Sequence, residues 1–271
     1  MPVRVETHDR LEDAARALAA SRSARFLGGG TLVMRAANAG SQAFDTIIRT
    51  RDAGLAGIRL EGDAVVIGAA TTMSLVAAHR DTAFLAPVAR VIGGPAIRNM
   101  ATVGGNLFAR APYGDFTTAL LALNASVILF DQSRGLPVED FLRDRGQNMT
   151  RLVRAVSVPR PRDAGAFRFL KVSRVKPKGV SVMSIAAHLP QSGGRIQGAR
   201  IAYGAMAPTP IRATAAERAL EGRSLDAATL DQVARVACDG IHPPTDALAS
   251  AWYRREVAGV HLRRLLSGGR S

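Results

Sequence analysis

Apolar positions along the first 50 residues predict a small βαβ-like unit. Residues 8–21, "HDRLEDAARALAAS", are typical of an amphipathic helix. Asp9 is expected to cap this helix, with Glu12 as its capping-box partner. Its apolar face is formed by Leu11, Ala14, Ala15 and Leu18. The pattern then predicts a strand over 24–27, a helix over 33–40 and a strand over 44–50.

The middle of the chain predicts further strands interrupted by short helices. A turn at 62–63 precedes a predicted strand over 65–69, and a helix is expected to begin near Thr72. Residues 83–94 predict a helix that is stopped by paired glycines. Residues 117–130 predict a buried helical turn followed by a strand, and residues 152–158 predict another strand.

The pattern changes after residues 160–166, which form the best candidate domain boundary. Three strands are predicted over 167–172, 180–189 and 198–205, and three helices over 213–220, 227–239 and 247–266. Trp252 is expected on the buried face of the last helix. We therefore predict an α+β chain with a first domain at 1–163, divided into subdomains of about 1–55 and 56–163, and a second domain at 164–271.

Composition is ordinary for a folded chain, with 47% hydrophobic and 21% charged residues in 271. No apolar run reaches the ~18 residues of a membrane span, and the first seven residues lack the pattern of a secretory signal, so a cytoplasmic location is expected. Cys238 is the single cysteine, which rules out an internal disulfide and an iron–sulfur cluster ligated within this chain. The five histidines show no metal-ligand spacing.

The formal net charge of +14 favours an anionic ligand or acidic protein partners. It also permits nucleic-acid binding, because Lys and Arg release counterions from phosphates. Aromatic residues make up only 5% of the chain, which is little for base stacking. Nucleic-acid binding is therefore the weaker alternative.

Two glycine-rich segments are candidates for ligand contact. The first glycine segment, residues 27–32, contains Gly28-Gly29-Gly30-Thr31, and the second glycine segment, residues 102–106, contains Gly104-Gly105-Asn106. Successive main-chain amides in glycine bends form concavities that bind anions such as a diphosphate. Neither segment matches the phosphate loop or the dinucleotide-binding fingerprint.

A structural interpretation of the same residues stays open. Glycine pairs commonly make tight turns, Thr31 and Asp115 could cap helices, and Asn106 could be a turn residue. Only their combination in one half of the chain favours a ligand site.

Longer motifs give the sequence a family resemblance. The stretches "FLGGGTLVMRAANAG", "RNMATVGGNLFARAPYGDF", "FRFLKVSRV" and "IAYGAMAPTPIRATAAERALEG" occur in this order. The chain thereby resembles the FAD-binding medium subunits of molybdenum hydroxylases, a group that includes xanthine dehydrogenases, carbon monoxide dehydrogenases and aldehyde oxidoreductases. The resemblance implies a two-subdomain FAD-binding domain of the PCMH type, with a small βαβ unit and a larger mixed or antiparallel sheet. A C-terminal domain with a three-stranded antiparallel sheet and a helix bundle would follow.

The resemblance also implies how the chain would hold FAD. The two glycine segments would bind the diphosphate through main-chain amides and the hydroxyls of Thr31 and Thr102, and Asp115 would accept hydrogen bonds from sugar hydroxyls. Ile92 and Val153 would pack near the flavin, and Lys171 would approach it. Leu32 and Arg110 depart from the residues usual in the family. The implied cofactor-binding residues are Leu27, Gly28, Gly29, Gly30, Thr31, Leu32, Ile92, Ala101, Thr102, Gly104, Gly105, Asn106, Pro112, Asp115, Val153 and Lys171.

By the same resemblance the chain is an electron-transfer subunit of an oxidoreductase, with no catalytic or metal-binding residue of its own. A large subunit would carry the molybdenum cofactor, a small iron–sulfur subunit would carry 2Fe-2S clusters, and FAD here would pass electrons to an external acceptor. The acceptor could be a nicotinamide, a quinone, a ferredoxin or oxygen. A flavin-free basic scaffold subunit is the alternative within such a complex.

Overall fold

The computed structural model describes residues 3–176 and 179–268 and begins with a small parallel sheet. Its three strands have the order β1-β3-β2, and both pairings are parallel. The elements are β1 (Arg4–His8), α1 (Leu11–Ala20), β2 (Ala24–Phe26), α2 (Val33–Asn38) and β3 (Thr46–Thr50). The predicted βαβ-like unit is confirmed, and the amphipathic face of α1 is buried at Leu11, Ala14 and Leu18.

Two local features of this unit differ from the prediction. Helix α1 begins after Arg10 without a side-chain cap, and the Asp9 carboxylate instead accepts from Arg51 at 3.1 Å. The predicted capping role of Asp9 is therefore wrong. Strand β1 was not predicted, because four of its five residues are polar and little of it is buried.

A five-stranded antiparallel sheet forms the second unit, with the order β4-β5-β8-β6-β7. Its strands are β4 (Ile58–Glu61), β5 (Ala64–Gly68), β6 (Ser126–Leu129), β7 (Leu136–Pro137) and β8 (Val153–Pro159). Its helices are α3 (Met73–Ala78), α4 (Ala86–Arg90), α5 (Pro95–Met100), α6 (Val103–Leu107), α7 (Asp115–Ala122) and α8 (Val138–Arg143). The helix predicted over 83–94 is shorter, because a 3-10 turn at Arg80–Leu85 precedes α4 and Gly93 takes a positive φ.

The C-terminal sheet is antiparallel and has the order β14-β13-β10-β9. The strands are β9 (Phe167–Val172), β10 (Met183–His188), β11 (Gln191–Ser192), β12 (Arg195–Ile196), β13 (Arg200–Gly204) and β14 (Ile211–Arg212), and β11 and β12 form a separate hairpin. The helices are α9 (Thr214–Leu220), α10 (Ala227–Arg235) and α11 (Ala251–Leu266). The three predicted strands are confirmed as β9, β10 and β13, and β14 adds a short fourth strand at the edge.

Helix α7 joins the two larger sheets, and all eight of its residues are buried. Its Phe116 and Leu120 share one hydrophobic cluster with Ala186 of β10 and Ala202 of β13. The helix is therefore packed on both sides, and its polar residues Asp115, Thr117 and Thr118 are buried together with its apolar ones. Asp115, in its first turn, is thereby placed where the C-terminal sheet meets the rest of the chain.

The inner face of α11 differs from the one predicted. Trp252 is 69% exposed and Val260 is 48% exposed, whereas Arg254, Ala258 and Leu262 are fully buried. The buried Arg254 guanidinium donates to the Asp246 carboxylate at 2.8 and 2.9 Å and to the Val182 carbonyl at 3.0 Å. Sequence reasoning placed the apolar Trp252 inside, because a charged residue is rarely buried unless its donors are all paired.

Among the described residues, no helix combines the length and the apolar character that crossing a bilayer requires.

Leu262→Ala is expected to lower the free energy of unfolding by about 2–5 kcal/mol, because it leaves a cavity in the core. Trp252→Ala is expected to lower it by about 0.5 kcal/mol or less, since that side chain is mostly in solvent. Urea denaturation of both variants measures the difference. A larger loss for Trp252→Ala than for Leu262→Ala would contradict the observed face of α11.

Candidate functional site

The first glycine segment carries a row of main-chain amides that have no partner among the described residues. It follows β2, and the Leu27 amide donates to the Ile48 carbonyl at 2.8 Å. The amides of residues 28–32 donate to no acceptor in the described parts of the chain, 3–176 and 179–268. Gly30 has a φ of +71°, a conformation that favours glycine. Consecutive unpaired amides in such a bend suit an anion with several oxygens.

Glycine is required here because two main-chain segments lie against each other. A Cβ added at Gly29 would overlap the carbonyl of Met100, and one added at Gly28 would lie 2.7 Å from Thr102 Oγ1. The first glycine segment therefore packs directly on residues 100–102. As a result, the free amides and the Thr102 hydroxyl belong to one surface.

Thr102 is the N-cap of α6, and its Oγ1 accepts from the Gly105 amide at 3.2 Å. Within the described chain this hydroxyl acts only as an acceptor, so its proton is available to a ligand. Neighbouring Ala101 is buried, and its carbonyl accepts from Met73.

The second glycine segment is a helix rather than an open bend. Gly104 and Gly105 lie within α6, and a Cβ on Gly104 would lie 2.9 Å from Ala69 Cβ. The amides of Val103, Gly104, Gly105 and Asn106 donate to Thr71 O, Ala69 O, Thr102 Oγ1 and Thr102 O, respectively. The predicted bend at Gly104-Gly105 is therefore wrong, because close packing on Ala69, the residue after β5, explains Gly104 without any ligand. Diphosphate binding by this segment stays a prediction. Because the amides of residues 103–106 are already paired, the Thr102 hydroxyl is the donor that could provide it.

Both glycine regions are free of acidic residues. Residues 21–44 contain Arg22, Arg25 and Arg35, residues 82–114 contain Arg90, Arg98 and Arg110, and neither range contains Asp or Glu. Burial, together with the nearby Arg110 guanidinium, lowers the pKa of Arg25 from its ordinary value. The sequence around both glycine segments is therefore positively charged, which favours a negatively charged ligand.

A stacked arginine links α2 to the loop that precedes Asp115. Arg35 Nη1 donates to the Tyr113 hydroxyl at 2.7 Å, and the guanidinium lies 5.0 Å from the Tyr113 ring centre. The adjacent Ala111–Pro112 peptide bond is cis. The small parallel unit is thereby connected to the segment that carries Pro112 and Asp115.

Asp115 and Lys171 form a buried ion pair, although the sequence suggested that each would contact a different part of a ligand. Lys171 Nζ lies 2.9 Å from Asp115 Oδ2 and donates to the Val91 carbonyl at 3.0 Å. The two side chains are 9% and 7% exposed. Ser181 Oγ donates to Asp115 Oδ1 at 2.6 Å. Sequence reasoning missed Ser181, because nothing in its local pattern distinguishes it from other serines.

The two apolar residues of the prediction lie in the core of the second unit. Val153 is 5% exposed at the start of β8, and Ile92, next to the Lys171 acceptor Val91, is partly buried against the same cluster. Their contact with the flavin stays a prediction.

This donor set fits a flavin nucleotide. The unpaired amides and a hydroxyl suit a diphosphate, and the missing Cβ atoms of Gly28 and Gly29 let these amides lie next to the Thr102 hydroxyl. The carboxylate that a diphosphate would avoid lies elsewhere, at Asp115, where it can accept from neutral hydroxyls.

Comparison with known proteins agrees with this fit. Residues 2–161 match the model of the FAD binding domain in molybdopterin dehydrogenase, and residues 168–268 match that of the CO dehydrogenase flavoprotein C-terminal domain. The chain belongs to the FAD-binding medium subunits of molybdenum hydroxylases and is an oxidoreductase subunit with FAD as its cofactor.

The names of individual relatives give different activities. The glyceraldehyde dehydrogenase medium chain of Sulfolobus acidocaldarius is 32% identical over 63% of this chain, and the match spans only 62% of that relative's length. The carbon monoxide dehydrogenase medium chain of Afipia carboxidovorans is 32% identical over 80% of this chain and 79% of its own. A solved chain of carbon monoxide dehydrogenase from Hydrogenophaga pseudoflava, in a form lacking the molybdenum-pyranopterin moiety, superposes with a TM-score of 0.89 at 28% identity, covering 98% of this chain and 97% of that one.

Gly29→Ala is expected to destabilise the protein by about 1–3 kcal/mol and to weaken FAD binding, because the new Cβ would push the first glycine segment away from Met100. Urea denaturation and flavin fluorescence titration measure the two effects.

Gly146→Ala is the matched control, since Gly146 has a φ of −62° and its Cβ would meet nothing within 4 Å. It is expected to leave FAD affinity unchanged. Equal FAD affinity in the Gly29→Ala variant and the wild type would show that the close approach has no role in binding.

Proposed function

We propose that this chain is the electron relay of a heteromeric molybdenum hydroxylase. Electrons from substrate oxidation at a molybdenum cofactor in a large subunit pass through 2Fe-2S clusters of a small subunit to this chain. They leave it for an external acceptor. Bound FAD supplies the redox chemistry, and the protein supplies binding, orientation and electrostatics.

The observation that carries the proposal is the row of free amides at residues 28–32 beside the Thr102 hydroxyl. These groups hold the diphosphate, and Thr31 adds a second hydroxyl. Asp115 accepts from hydroxyls of the sugar part, while Ile92 and Val153 provide apolar contact. Because the diphosphate carries negative charge, the acid-free, arginine-containing surroundings stabilise it further.

Other features of the chain support the division of tasks among subunits. With one cysteine, this chain lacks the thiolates that a 2Fe-2S cluster requires, so the clusters are assigned to a partner. The net charge of +14 suits contact with acidic partner surfaces. The relatives act on glyceraldehyde and on carbon monoxide according to their names, so the substrate is assigned to the partner that holds the molybdenum.

Purification of the chain from its native cell tests the relay. The expected result is co-purification with a larger molybdenum-containing chain and a smaller iron–sulfur chain. Rapid reduction should then show the iron–sulfur signals changing before the flavin absorption bleaches. A chain that purifies alone, or flavin that is reduced before the iron–sulfur centres, would contradict the proposed order.

Lys171→Met is expected to lower the flavin reduction potential by about 30 mV, which for a two-electron couple corresponds to about 1.4 kcal/mol. The reason is that the ammonium favours the more negatively charged reduced flavin. Potentiometric titration measures the shift, and Lys171→Arg, which keeps the charge, is the control. An unchanged potential in Lys171→Met would remove this role from Lys171.

A further inference from the structure

We propose that Ser181 is a positioning residue for flavin binding, acting through the carboxylate of Asp115. This inference rests on the proposed role of Asp115 as an acceptor for hydroxyls of the flavin nucleotide. Ser181 is 1% exposed, and its Oγ donates to Asp115 Oδ1 at 2.6 Å across 66 residues of sequence. It is a short, charge-assisted hydrogen bond, the stronger kind.

The two partners of Asp115 differ in how firmly they are held. Lys171 reaches Oδ2 with a long side chain, and it has a second acceptor in the Val91 carbonyl. The short side chain of Ser181 reaches Oδ1 through only one rotatable bond, and the residue itself is buried. Lys171 is therefore the exchangeable partner. Its ammonium can give up the contact with Oδ2 to a ligand hydroxyl and keep its hydrogen bond to the Val91 carbonyl. Ser181 is the fixed partner.

Fixing one oxygen determines the direction of the other. The terminal torsion of an aspartate is broad, so the carboxylate plane has little preference of its own. The bond from Ser181 removes this freedom and directs Oδ2 toward Lys171. The carboxylate thus has its orientation before any ligand hydroxyl arrives, which lowers the cost of binding.

The main chain next to Ser181 is held by two hydrogen bonds, one to the edge strand β9 and one to helix α11. The next residue, Val182, donates from its amide to the Val172 carbonyl at 2.9 Å, and its own carbonyl accepts from the buried Arg254 at 3.0 Å. These contacts tie Ser181 to β9, the strand that carries Lys171, and to α11. The C-terminal domain therefore holds the orientation of a carboxylate that belongs to α7.

FAD affinity of the full chain tests the proposal, with fluorescence titration of the flavin-free protein as the readout. Ser181→Ala is expected to weaken FAD binding about tenfold, as for the loss of a hydrogen bond to a charged group. Ser184→Ala is the matched control, because Ser184 is equally buried nearby on β10 and its Oγ has no hydrogen-bond partner in the described chain. It is expected to leave the affinity unchanged within about twofold.

A double-mutant cycle with Asp115→Ala separates positioning from a general structural role. Once the carboxylate is absent, Ser181→Ala is expected to have no further effect on FAD affinity. Ser181→Thr, which keeps the hydroxyl, is expected to restore most of the affinity. If Ser181→Ala does not fold, Ser181→Cys, with its weaker donor, takes its place and is expected to bind FAD more weakly than wild type.

The outcomes distinguish this inference from the function on which it rests. An unchanged affinity in Ser181→Ala while Asp115→Ala binds weakly would overturn the positioning role alone. So would an equal loss from Ser181→Ala with and without Asp115. If Asp115→Ala itself binds FAD like the wild type, the proposed flavin contact at Asp115 fails.

Discussion

The candidate site depends on the direct approach of two main-chain segments, Gly28–Gly29 and residues 100–102. Any side chain at Gly29 would overlap the Met100 carbonyl, and one at Gly28 would crowd the Thr102 hydroxyl. Because neither position has a side chain, the first glycine segment packs directly on residues 100–102. Its amides at residues 28–32 have no acceptor among the described residues. Unpaired amides are costly when buried, so here they lie on an accessible surface where a ligand can satisfy them. One steric constraint therefore explains the local packing and brings the first glycine segment next to the Thr102 hydroxyl.

The remaining polar groups are divided between the two halves of the chain. The N-terminal half contributes the free amides, the Thr102 hydroxyl and the Asp115 carboxylate, whereas the C-terminal half contributes Lys171 on β9 and Ser181 just before β10. Helix α7 joins the halves, since it is buried on all sides and carries Asp115 in its first turn. A buried carboxylate needs paired donors, and here both donors come from the other domain. Under the proposed function, flavin binding and the contact between the two halves of the chain are thus linked at Asp115.

Local patterns predicted the elements whose burial is regular and missed those determined by distant contacts. Helix α1 was predicted from its amphipathic periodicity, and strand β2 was predicted from the short stretch at residues 24–27 that three glycines follow. Strands β1 and β14 were not predicted, because β1 is mostly polar and β14 has only two residues, so neither shows a clear hydrophobic alternation. Gly104-Gly105 suggested a bend, yet both glycines lie in helix α6, which Thr102 caps and which packs on Ala69 through Gly104. Trp252 was expected in the core, yet the inner face of α11 carries Arg254, whose guanidinium is paired with Asp246. The family resemblance supplied Asp115 and Lys171, whereas their mutual contact and the role of Ser181 depend on residues more than 50 positions apart.

Hydrogen exchange of individual main-chain amides, compared between the flavin-free and FAD-bound chain, tests the central claim most directly. Without FAD, the amides of residues 28–32 are expected to exchange rapidly, while those of 103–106 are already protected by their hydrogen bonds within the chain. Addition of FAD is expected to slow exchange at residues 28–32 and to change residues 103–106 little. Exchange at residues 28–32 that is the same with and without bound FAD would contradict the assignment of the diphosphate to these amides.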